Sequence, residues 1–145
     1  MYESVLTIHS YWAYLVVLIL VLACLNAIVK FSSNKPFTDK DLRISLFGLI
    51  VTHVQLLIGL VLYFVTERNV WSELGGGVMK NSLLRLVLVE HPVVNIIAIA
   101  LITIGWSKHK KQTTAKGKFG KIALFYTIGL VLLLSRIPYD LWFTN

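Results

Sequence analysis

Four stretches of this chain stay apolar for about 20 residues or more, and no other feature restricts its fold as strongly. They cover roughly residues 6–31, 44–66, 83–106 and 122–142. At 1.5 Å per residue, each is long enough to cross about 30 Å of hydrocarbon. Only 14% of the residues are charged, against about 25% in an ordinary soluble domain. Those charges lie between the stretches and are nearly absent within them. Were the four segments buried helices of a soluble protein, 145 residues would leave too little polar surface to cover them. The expected fold is all-α: an integral membrane four-helix bundle, formed as one domain over residues 1–145.

The connections are short. Residues 32–43 carry turn formers and a helix N-cap at Thr38 or Asp39. Residues 67–82 hold Gly75, Gly76 and Gly77, which favour a flexible loop. Residues 107–121 form a basic loop in which His109 reads as solvated. Lys30, Lys35, Lys40, Arg43, Lys108, Lys110, Lys111, Lys116, Lys118 and Lys121 flank the first-to-second and third-to-fourth connections. Arg68, Lys80, Arg85 and Arg136 belong to the other side. Positive charge accumulates on the cytoplasmic side of membrane proteins, so both termini are expected outside the cytoplasm. Trp12, Trp71, Trp106 and Trp142 fall near segment ends, as an aromatic belt requires. The basic loops suit an anionic inner membrane surface better than nucleic acid. Cys24 is the one cysteine, so it has no intrachain disulfide partner and reads as a small buried side chain. No cleavable signal peptide is expected, because the N-terminus has no basic region and the first apolar run is too long.

Ionisable groups in hydrocarbon cost several kcal/mol and commonly mark function. Measured from the outer surface by the helix rise, His9 lies roughly 6 Å deep, Arg136 roughly 9 Å, Glu90 and His91 roughly 12 Å, and His53 roughly 20 Å. The set converges on the outer half of the bundle. Neutral imidazole is the usual axial ligand of a haem b held between transmembrane helices, and its propionates need cations. Arg136 and Arg85 lie at the fitting end. His91 pairs with His53 or with His9, and the spacing leaves both open. Asn95 and Ala98 follow His91 on its own helix face and line a pocket there. Gly48 and Gly59 share a face roughly opposite His53, which predicts helix–helix contact and counts against a haem beside His53. Arg136 is also placed to pair with Glu90. Pro92 removes the hydrogen bond to the Leu88 carbonyl and predicts a kink that frees this carbonyl to orient an imidazole or serves packing alone.

The stretches HSYW (9–12), FGLIVTHVQLLIGLVLYF (47–64), LRLVLVEHP (84–92), ALITIGWSKHKK (100–111) and SRIPY (135–139) resemble small four-helix membrane proteins of Bacteroidetes labelled cytochrome b or cytochrome-b-like. The likeness extends over nearly the whole chain. The T-H-x-Q-L-x-x-G run of the second segment and the V-E-H run of the third are its most specific parts. It implies a haem, and His9, His53 and His91 as the positions that matter. Ala13 and Tyr14 stand where such proteins often carry a basic residue, so a propionate contact from the first helix is not implied here.

Three functions fit these residues. The first is an electron-transfer protein of the bacterial inner membrane holding haem b. It would exchange electrons with a quinone, alone or as a subunit of a larger respiratory complex, and need not be an enzyme by itself. The second is copper or zinc binding through His9, His91 and Glu90. The third is a cofactor-free accessory subunit of a membrane complex. No phosphate loop, dinucleotide fingerprint or nucleophile motif is present.

Overall fold

The computed structural model describes residues 1–66 and 70–143. Arg68 falls outside them. All regular structure among the described residues is helical. Four runs are long and apolar enough to cross a membrane. They are α1 (Tyr2–Ser32), α2 (Asp39–Val65), the continuous run Ser82–Lys110, and α6 (Ala115–Ser135). The third run opens as α4 (Ser82–Arg85), passes through a π turn at Leu86–Glu90, and continues as α5 (His91–Lys110). Two short helices, α3 (Trp71–Leu74) and α7 (Tyr139–Trp142), complete the set. The chain is a multi-pass membrane protein.

The helices form a ring in the order α1, α2, α5, α6, with α6 closing on α1. The α5–α6 contact is the most extensive and the α2–α5 seam the sparsest. Leu20, Ala23, Ile102, Phe119, Ile122 and Tyr126 fill the centre. Leu18, Leu25, Phe47, Leu57, Ile97 and Val131 are among the large apolar side chains on the outside. Such an exterior contacts lipid, in which an exposed leucine costs nothing.

A helix in lipid has no water to satisfy its polar side chains. Here several of them donate to helix carbonyls, whose second lone pair is free to accept. The Trp12 indole donates to Val51 O at 2.9 Å, joining α1 to α2. It therefore faces the bundle instead of serving as an interfacial belt. The Tyr126 hydroxyl donates to Ser45 O at 2.7 Å, joining α6 to α2. Tyr126 is fully buried. Tyr126→Phe is expected to cost about 1 kcal/mol, the usual net worth of one such bond, read from denaturant unfolding in detergent micelles.

The α1–α2 turn is held by Asp41, a residue the apolar pattern does not single out. Its carboxylate is fully buried. One oxygen accepts from Asn26 Nδ2 and Lys30 Nζ, and the other from the Thr38 amide and hydroxyl. Thr38 is the N-cap, and Thr38 with Asp41 forms a capping box.

The long helices begin earlier than expected, at Tyr2, Asp39 and, within the basic loop, Ala115, and two further features depart from the sequence expectation. The triple-glycine stretch forms a 3-10 turn, Gly75–Lys80, with Gly75 at φ +50°. The fourth long helix stops at Ser135, well short of residue 142. Pro138 lacks an amide proton and disfavours helical geometry at Ile137, so the run cannot continue through it. Arg136 thus lies at the helix end and not two turns inside it. The Trp142 indole then donates to Ser10 O at 3.2 Å and stacks on Tyr14 at 4.6 Å. These contacts bring both ends of the chain to one end of the bundle. The two basic loops meet at the other, where Lys116 Nζ approaches Asn34 Oδ1 at 3.4 Å.

Candidate functional site

His9 and His91 face each other at the end of the bundle that carries the termini. Their ring centres are 6.2 Å apart and their planes nearly perpendicular, at 89°. The second segment supplies the surroundings of His9. Gln55 Nε2 donates to His9 O at 2.9 Å. Gly59, one turn on, lies so close that an added Cβ would stand 3.2 Å from His9 Cε1. Gly59 therefore makes room for the His9 ring, while Gly48 packs against Leu20 and Ala23 of α1 and Tyr126 of α6. Their expected shared role as helix contacts holds, but the space at Gly59 belongs to a histidine. His9 Nδ1 and Gln55 Oε1 are buried without hydrogen-bond partners. Orphaned buried polar atoms are uncommon and call for a ligand, a water or a proton carrier.

His91 is oriented from α6. Its Nδ1 lies 2.8 Å from the Arg136 carbonyl, which can only accept, so the proton sits on Nδ1 and the lone pair on Nε2. Arg136 caps the C-terminal end of α6, where helix carbonyls lack backbone donors. The main chain of Arg136 thus fixes the ring of His91. Asn95 Nδ2 donates to His91 O at 2.6 Å and lies 2.9 Å from Nδ1. Asn95 therefore lies beside His91, on the same helix face.

The charged neighbours are arranged differently from the sequence reading. Glu90 meets Arg85, with Nε to Oε1 at 3.7 Å, and not Arg136. The π turn places Glu90 on the Arg85 side. The Arg136 guanidinium is exposed, donates to Ser135 O at 3.0 Å, and meets no carboxylate among the described residues. The Leu88 carbonyl near Pro92 is taken by the Tyr63 hydroxyl at 3.0 Å, and this hydroxyl accepts from the Trp71 indole at 2.9 Å. It orients no imidazole.

His53 stands apart from the His9–His91 pair, half-buried at the sparse α2–α5 seam. Its Nδ1 lies 2.7 Å from Leu49 O and its Nε2 3.3 Å from Thr103 Oγ1. Nδ1 donates within α2, while the Thr103 hydroxyl gives its proton to Ile99 O at 2.8 Å and only touches Nε2 across to α5. His109, expected in solvent, is fully buried. Phe37, Trp106 and Phe119 close around this region, and His109 Nδ1 donates to Trp106 O at 2.6 Å. The signal was available: Ala98, Ile102, Gly105 and His109 recur at helical spacing along one buried face.

The spacing of His9 and His91 can be compared with that of two imidazoles sharing one metal. Two imidazoles on one metal have ring centres about 6 Å apart, given a bond of about 2 Å on each side and about 1 Å from nitrogen to ring centre. The observed 6.2 Å agrees. A ring nitrogen tied to a carbonyl, leaving the other free, is the usual state of a ligating histidine. The copper or zinc set of His9, His91 and Glu90 is not assembled: among the described residues no three His, Cys, Asp or Glu side chains lie close enough to share an ion. Compared with known protein families, with curated proteins and with solved structures, the chain matches none.

Proposed function

We propose that this chain is a b-type cytochrome-like electron carrier, acting alone or as a subunit, with His9 and His91 as the axial ligands of one haem b. The observation that carries the reading is the 6.2 Å spacing of two imidazoles contributed by different helices. When bound, the haem supplies a one-electron iron couple. The chain's own residues do the rest. The Arg136 carbonyl holds the proton of His91 on Nδ1, which keeps Nε2 free and raises its basicity. Gln55 anchors the backbone of His9, and Gly59 leaves its ring space. Arg85 and Arg136 supply cations at the same end for the propionates. His53 ties α2 to α5 instead of ligating.

Ten of the fourteen Lys and Arg residues flank the two loops at the opposite end. That distribution supports a bacterial inner membrane with the termini, and hence the haem site, on the outer side. A membrane quinone is the electron partner that such a site would meet from within the bilayer.

The deciding experiment is a reduced-minus-oxidised visible spectrum of the wild-type protein, expressed with ample haem and purified in detergent. A sharp α-band with one haem per chain is expected. A colourless protein sinks the reading and leaves a cofactor-free accessory subunit, to be pursued through co-purifying partners.

A further inference from the structure

The geometry points to a binding groove for one anionic phospholipid on the outer surface between α1 and α2, at the end carrying the basic loops. The groove has a volume of about 460 Å³. Ile19, Leu22 and Val29 of α1 and Phe47 of α2 form its apolar floor, while Lys30 and Lys40 stand at one end. Leu22, Val29 and Phe47 are each about half exposed to the surroundings.

Its length matches one leaflet. From Ile19 to Lys30 the helix rises about 16 Å, half of a hydrocarbon layer of about 30 Å. The apolar floor therefore lies at acyl-chain depth when the two ammonium groups lie at headgroup depth. Free phosphate would leave that floor unused, so the occupant is a lipid.

The charge of the groove selects the headgroup. No carboxylate lines it. Asp41 lies beneath, but its oxygens are spent on Asn26, Lys30 and Thr38. Lys30 is thus partly neutralised. Lys40 is exposed and has no ion-pair partner among the described residues. One free cation and one shared cation favour a net-negative headgroup over a zwitterionic one.

The test is native mass spectrometry of the full chain, titrated in detergent with phosphatidylglycerol or phosphatidylcholine. Wild type is expected to retain phosphatidylglycerol about fivefold more strongly, the equivalent of about 1 kcal/mol for one lysine at a lipid surface. Lys40→Gln is expected to erase that preference, and Leu22→Trp to lower retention of both lipids by filling the floor. Lys108→Gln, on the other basic loop, is expected to leave the preference intact. Equal retention of the two lipids by wild type overturns the proposal. So does a preference that survives Lys40→Gln, retention of both lipids unchanged in Leu22→Trp, or a preference lost equally in Lys108→Gln, which would make it a general charge effect. Helical circular dichroism of each variant establishes that the fold is kept.

Discussion

His9→Ala and His91→Ala are each expected to abolish the α-band completely, while His53→Ala keeps it. The difference follows from what each imidazole already does. His53 lies at the α2–α5 seam with Thr103 against its Nε2, and no second imidazole faces it among the described residues. His91 has one nitrogen committed to the Arg136 carbonyl and the other free. His9 has a buried nitrogen with no partner at all. If His9 and His91 hold the iron as proposed, losing either would remove one of its two protein ligands, and Glu90 is paired with Arg85. The readout is the reduced spectrum together with haem content per chain. Loss of the band in His53→Ala, with retention in His9→Ala, would move the iron to the α2–α5 seam and overturn the assignment.

The spanning helices were legible from length and hydropathy because lipid demands both. The partners within the site were less so. These helices are apolar on nearly every face, so the periodicity that orients a soluble amphipathic helix carries little information here. His53 and His9 therefore remained equal candidates for His91, and only the rotation of α2 in the bundle separates them. Gly59 held part of the answer, since its face is opposite His53 and its missing side chain admits His9. Arg136 was misplaced for a local reason. Pro138 ends α6 early and moves Arg136 from inside the helix to its end, where its carbonyl also accepts from His91. Glu90 was misjudged because the π turn at Leu86–Glu90 rotates that residue toward Arg85. Such an inserted turn changes the phase of a helix without leaving a signature in composition. Asp41 was not singled out, although its capping position makes it the fully buried centre of four hydrogen bonds.

Gly129→Val is expected to destabilise the bundle by about 3 kcal/mol, at the upper end of the usual cost of overpacking. A Cβ at Gly129 would lie 2.6 Å from Ile102 Cγ1 and 3.1 Å from the Ala98 carbonyl oxygen. Ile102 is fully buried and has nowhere to move, and the carbonyl belongs to a helix backbone. The facing glycine is equally close, since a Cβ at Gly105 would lie 2.5 Å from Phe125 Cβ. Two glycines on opposed helices thus allow α5 and α6 their close approach, which in lipid must come from contact and not from a hydrophobic drive. Gly76→Val, where an added Cβ meets nothing within 4 Å, is the matched control. Denaturant unfolding in detergent separates the two, and coincident transitions would show that the α5–α6 contact tolerates a larger spacing. The site feels the same change. Arg136, whose carbonyl orients His91, lies two helical turns beyond Gly129 on α6. Pushing α6 off α5 lengthens that hydrogen bond, so Gly129→Val is also expected to retain less haem than Gly76→Val at equal protein concentration.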